Sequence, residues 1–309
     1  MSFLSSFFDT IMSIGLPGAA TQGIIWGIMA IGVYITYKIL DIADLTVDGS
    51  FTTGGAVMVM CITQGQMNVW TAMLIAFIAG CIAGFMTGIF HTKFGIPAIL
   101  SGILTQFALY SINLRIMTRA NVPLNVRKYF VLLSSFNVTT ALITAAIFAA
   151  ILITILYWFF GTELGHSLRA TGCNHNMARA NGINTERNKI LGLILSNGVV
   201  ALSGGLLAQY QGFADINMGR GAIVIGLAAV IIGEVLFSKI YKNFALRLFS
   251  AVIGGILYYI IITLVLRMGL KADDLKLLSA LVVAVFLGIP YWKQRFAELR
   301  TKKEDTPDA

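Results

Sequence analysis

Residues 141–160, ALITAAIFAAILITILYWFF, carry no charge, and comparable runs recur along most of the chain. About 18 to 24 apolar residues are what a helix needs to cross roughly 30 Å of hydrocarbon. The runs do not alternate in polarity, so the strands of a transmembrane barrel, about ten residues each with alternating faces, are excluded. The expected fold is therefore all-α, a polytopic transmembrane helical bundle. A composition of 57% hydrophobic and 12% charged residues agrees with it.

Nine spans are expected, at 19–40, 49–63, 69–90, 97–114, 138–160, 190–211, 221–237, 245–267 and 275–291. The second is short and follows DIADLTVDGS, which predicts a helix broken inside the membrane near residues 41–50. Residues 1–18 read as an amphipathic N-terminal segment, 19–291 as one transmembrane domain, and 292–309 as a charged cytoplasmic tail. The first Lys or Arg is Lys38, and gaps on one side, with the tail, hold 14 of the 22 basic residues. The positive-inside tendency then places the N-terminus outside and the C-terminus inside. A net charge of +8 thus sets membrane orientation rather than a nucleic-acid surface.

Several chemistries find no support. Cys61, Cys81 and Cys173 are scattered and read as packing residues, and His91, His166 and His175 lack metal-ligand spacing. No G-x-x-x-x-G-K-[ST] sequence is present, so the chain has no P-loop for ATP. No cofactor, metal or catalytic residue is expected. Gly80, Gly84 and Gly88, at i, i+4 and i+8, predict a helix face for close packing.

Two stretches bear on function. In DIADLTVDGSF, Asp41, Asp44 and Asp48 fall at i, i+3 and i+7, one helical face if the helix is continuous, and carboxylates at membrane depth tend to be functional. They admit two readings, coupling to a proton or cation, or capping and shaping the break. In LRATGCNHNMARANGINTERNKI, residues 168–190, Asn174 is suited to cap a short helix. Gly182 is suited to end it in the left-handed conformation, and Asn184 or Thr185 to cap the next span. That stretch reads either as a docking ridge or as an ordinary cytoplasmic loop.

The same stretch resembles the cytoplasmic coupling segment of ABC importer permeases of the branched-chain amino-acid and ribose transport family. DIADLTVDGSFTTGGAV is similar to that family's broken second helix, with Asp44, Gly49 and Ser50 at matching places, and residues 205–234 resemble its following helix, external loop and span. The resemblance covers roughly residues 20–291 and is nearest to the subgroup assigned to aromatic amino acids. It departs from the branched-chain members, whose break contains His, and from the sugar members, which begin with one more span.

The resemblance implies a non-catalytic permease in the bacterial inner membrane, paired with a second permease copy, two cytoplasmic ATP-binding subunits and an extracytoplasmic binding protein. It implies ATPase coupling through residues 165–189, with Arg169, Asn174, Ala178, Arg179, Ala180, Gly182 and Asn184, the small Ala178 and Ala180 admitting the partner. A translocation path is expected along Asp44, Thr46, Asp48, Ser50 and Asn197. Four basic residues in the external loop 115–130, among them Arg119 and Arg127, depart from the positive-inside tendency. With Arg220 and Lys271 they are candidates for docking the binding protein, or are simply solvated at lipid headgroups. The contrasting expectation is an ion-coupled secondary transporter using Asp41, Asp44 and Asp48.

Overall fold

The computed structural model describes residues 15–237 and 243–267, with a few isolated positions between 277 and 288. The chain order is α1 (Leu16–Tyr34), α2 (Thr46–Thr63), α3 (Val69–Thr92), α4 (Ala98–Met117), β1 (Asn121–Pro123), α5 (Val138–Phe160), α6 (Glu163–Cys173), α7 (His175–Ala180), α8 (Thr185–Gln211), β2 (Phe213–Asp215), α9 (Ala222–Phe237) and α10 (Phe244–Arg267). The helical bundle is as expected, with one addition. β1 and β2 pair antiparallel, Val122 opposite Ala214, and tie the loop after α4 to the loop after α8.

Six helices among the described residues are long and apolar enough to cross a membrane: α1 with its C-terminal extension, α3, α4, α5, α8 and α10. The expected count of nine is not confirmed among the described residues. α9 has 16 described residues, and the positions that directly follow Phe237 lie outside the described residues. α2 is rich in Thr and Gly and is held almost wholly inside the bundle, so lipid does not dictate its composition. Most of the candidate span 275–291 lies outside the described residues, as do most of the N-terminal segment, the tail 292–309 and Lys271.

Burial sorts the spans into inner and outer. α1 is 83% buried over its most apolar window and α8 72%, whereas α4 and α5 are 28% buried and turn large apolar side chains outward. Trp26 of α1 stacks on Phe51 of α2 at 4.9 Å and on Tyr259 of α10 at 5.8 Å, which anchors the core.

Backbones approach closely around α8. A Cβ on Gly80 would run into the Asn197 carbonyl oxygen, one on Gly84 into the Leu193 carbonyl oxygen, and one on Gly88 would sit 3.1 Å from Ile190. The i, i+4, i+8 stripe of α3 thus meets one face of α8, as the sequence predicts, because apolar burial drives little helix association in lipid and contact must come from fit. Gly84→Leu is expected to push the two helices apart at a cost of about 1–3 kcal/mol or more. Size-exclusion chromatography of the solubilised chain should show loss of the monodisperse species; a normal elution profile would refute the tight contact.

Candidate functional site

The break in the first hairpin is built from local backbone chemistry. After α1 the residues Ile35–Ile39 widen into a π-turn, Asp41 takes φ 55°, and helix resumes at Thr46. Asp44 Oδ1 accepts the Thr46 amide at 2.9 Å, satisfying one of the free N–H groups that open α2. Its other oxygen, Oδ2, accepts from Asn197 Nδ2 at 2.7 Å. Asn197 Oδ1 accepts from Ser50 Oγ at 2.6 Å, and Asn197 Nδ2 also reaches the Leu193 carbonyl at 3.0 Å. Beside this chain of contacts Thr46 and Thr87 share a 2.7 Å hydrogen bond, and Thr87 donates to Thr105 at 2.9 Å.

Asp44, Thr46, Ser50 and Asn197, all expected on a translocation path, are therefore brought together in one buried knot; Asp44 is only 2% exposed. Asn197 lies about 18 Å along α8 from Thr185, so the knot sits at membrane depth. The single carboxylate face is not formed. Asp41 and Asp44 precede the helix rather than belong to it, and Asp41, Asp44 and Asp48 are respectively exposed, buried and half-buried.

Asp48 caps a helix, but a different one from its own. Its Oδ2 accepts the Gly221 amide and its Oδ1 the Ile223 amide, each at 2.9 Å, closing the N-terminus of α9 from 173 residues away in sequence. Thr52 Oγ1 adds to the join by accepting the Gly219 amide at 3.1 Å. Segment 216–221 is therefore tied to α2 before α9 starts.

Next to Asp48 a cavity of about 520 Å³ opens between α2, α4 and this descending segment, lined by Gln106, Phe107, Tyr110, Asn113 and Arg220 among others. Sequence reasoning passed over the α4 contribution. The signal was there, since Gln106, Tyr110 and Asn113 fall at i, i+4 and i+7, a polar stripe within an apolar span. Arg220, expected with the docking residues, stands over the Tyr110 ring at 6.0 Å.

At the other end of the helices, α6 and α7 form a capped pair. Thr162 Oγ1 accepts the Gly165 amide at 3.4 Å, Asn174 Oδ1 the Met177 amide at 3.0 Å, and Asn184 Oδ1 the Arg187 amide at 3.0 Å. Gly182 takes φ 79°, as its expected role as a helix stop demands. Arg179 Nε donates to Thr185 Oγ1 at 3.0 Å, and its guanidinium lies 3.9 Å from Glu186, so it braces the α7–α8 turn. Arg169 lies over the Phe244 ring at 5.0 Å.

One expectation needs correction. Ala178 is 2% exposed and faces the rest of its own chain, so it is not part of an outward small-residue surface. The exposed residues of α7 are Asn176, Met177, Arg179 and Ala180. α6 also reaches the break: a Cβ on Gly172 would run into the Ile39 carbonyl oxygen of the π-turn.

The histidines there have structural partners. His91 Nδ1 donates to the Ile96 carbonyl at 2.9 Å while Nε2 accepts from Lys189 at 3.4 Å. Burial, then the charges of Lys189 and Arg179, lower the pKa of His175 from its usual value. No cluster of His, Cys, Asp and Glu suited to a metal ion occurs among the described residues. Cys173 is exposed rather than packed, unlike Cys61 and Cys81, which are partly buried. On the opposite face Arg119 and Arg127 are exposed around the β1–β2 pair, Arg127 over Phe136 at 5.1 Å.

A helical bundle with a polar break buried at membrane depth is the build of a multi-pass membrane transport protein. The chain belongs to the family described as the branched-chain amino acid transport system permease component, matched over residues 16–290, and is a permease subunit of that family.

It is 43% identical to the tyrosine transport system permease protein of Clostridioides difficile over 274 residues, 88% of this chain and 90% of that one. It is 28% identical to the autoinducer 2 import system permease protein LsrC of Yersinia pseudotuberculosis over 213 residues, 67% of this chain and 58% of that one. The fold is similar to that of PsaBC from Streptococcus pneumoniae in complex with Fab, with a TM-score of 0.54 and 16% identity, covering 96% of this chain and 99% of that one.

Proposed function

We propose that this chain is the transmembrane subunit of a binding-protein-dependent ABC importer for amino acids, with aromatic amino acids such as tyrosine and tryptophan as the favoured cargo. The observation that carries the reading is the capped α6–α7 pair, which lies across one end of the bundle and presses on the π-turn that begins the helix break. A rigid ridge at that position passes a push from an ATPase to the polar knot without the permease binding nucleotide itself. The 43% identity to a tyrosine permease supports the cargo.

The rest of the assembly follows from the same reading. A second permease copy pairs with this one, two ATP-binding subunits seat on residues 165–189 in the cytoplasm, and an external binding protein docks at Arg119 and Arg127. The membrane is the bacterial inner membrane, with nine spans, the N-terminus outside and the C-terminus inside. Ion-coupled transport is not favoured, because the three aspartates do not converge on one site.

Reconstitution with the partner ATPase and binding protein tests the proposal. Uptake of labelled tyrosine is expected to require ATP and the binding protein and to ignore a protonophore. Uptake that needs no ATP and collapses with the protonophore would favour the secondary transporter instead.

A further inference from the structure

We infer that the cavity between α2, α4 and the segment before α9 is a transit site for an amino-acid zwitterion with an aromatic side chain, its carboxylate held by Arg220 and its ammonium by Asp48. The inference rests on the importer reading for its setting and on the cavity for its chemistry. Its volume of about 520 Å³ falls within the roughly 300–1,000 Å³ of small-molecule sites.

Charge is arranged for a dipolar guest. Arg220 is exposed and pairs with no carboxylate among the described residues, while the Tyr110 ring beneath it holds the guanidinium over the cavity wall. Asp48 accepts the amides of Gly221 and Ile223, and the Ala222 amide also bears on its carboxylate. A carboxylate offers about four acceptor positions, so one remains for an ammonium. Because Asp48 binds the residue next to Arg220, the two opposite charges flank the same rim.

The independent pointer to a ligand is Asn113. Its side chain is completely buried, lines the cavity, and neither its Oδ1 nor its Nδ2 has a hydrogen-bond partner. A buried carboxamide left unpaired is costly, and a guest bearing both donors and acceptors relieves it. Phe107 and Tyr110 supply the flat apolar wall that an aromatic ring fits.

The test is saturation-transfer NMR on the full-length permease in nanodiscs without its partners, with L-tyrosine, tyramine (lacking the carboxylate) and 3-(4-hydroxyphenyl)propionate (lacking the ammonium). Wild type is expected to bind tyrosine at least about tenfold more tightly than either analogue. Arg220→Gln should erase the preference over tyramine alone, and Asn113→Leu should weaken tyrosine about tenfold. Circular dichroism and melting of both variants, compared with wild type, confirm that they are folded.

Equal binding of all three compounds by wild type, or variants that are folded yet bind as wild type, would overturn the inference and leave the importer reading standing. Selective binding of the zwitterion by a permease whose reconstituted complex imports no amino acid would uphold the cavity assignment and sink the importer reading.

Discussion

Asp44→Ala is expected to destabilise the chain by about 2–5 kcal/mol and to abolish transport. The substitution leaves the Thr46 amide without its acceptor and takes from Asn197 one of two, all in a region closed to water. A buried polar group stripped of its partner costs roughly 1–3 kcal/mol, and hydrogen bonds to charged groups lie at the upper end. Asp44→Asn keeps the shape and the acceptor toward Thr46, and a flip of the Asn197 amide accommodates the new donor, so its loss should be smaller. Melting of the solubilised variants should therefore rank wild type above Asn and Asn above Ala, with uptake in the same order. An Ala variant that melts with wild type would show that the knot does not hold the break together.

The second large effect concerns α7. Met177→Glu changes an exposed side chain, 64% accessible, and should leave the permease folded while preventing co-purification of the ATPase and eliminating coupled hydrolysis. Ala178→Glu buries a charge instead, and should fail earlier, as loss of folded protein. Gly182→Val strains a residue at φ 79° by about 1 kcal/mol or more and should loosen the end of α7, giving an intermediate loss of coupling. If Met177→Glu couples normally, the ATPase does not seat on α7 and the proposed function loses its main support.

Much of the stretch 168–190 was legible because its signals are local. An Asn at a helix start and a Gly at a helix end act within a few residues of backbone, so Asn174, Gly182 and Asn184 do in the structure what their types and spacing predict. Ala178 illustrates the limit. A small residue in a polar segment looks the same in sequence whether it faces a partner or its own core, and only the way α7 lies on α8 decides between them. Asn113 went unread for a related reason, since a polar residue inside an apolar span gains meaning only when the cavity beside it is known.

What the sequence by itself determined is whatever depends on composition and period: the helical membrane class, the positions of the main spans, the small-residue face of α3, a break near residues 41–50 and the caps of α7 and α8. Tertiary structure alone decided which groups meet across the chain. Asp48 was readable as a cap but not as the cap of α9, and Asp44 was readable as a buried carboxyl but not as the partner of Asn197. The physical reason is range. Hydrogen-bond demand at a helix end is written into neighbouring residues, whereas which distant group answers it depends on how glycine faces let α2, α3 and α8 pack.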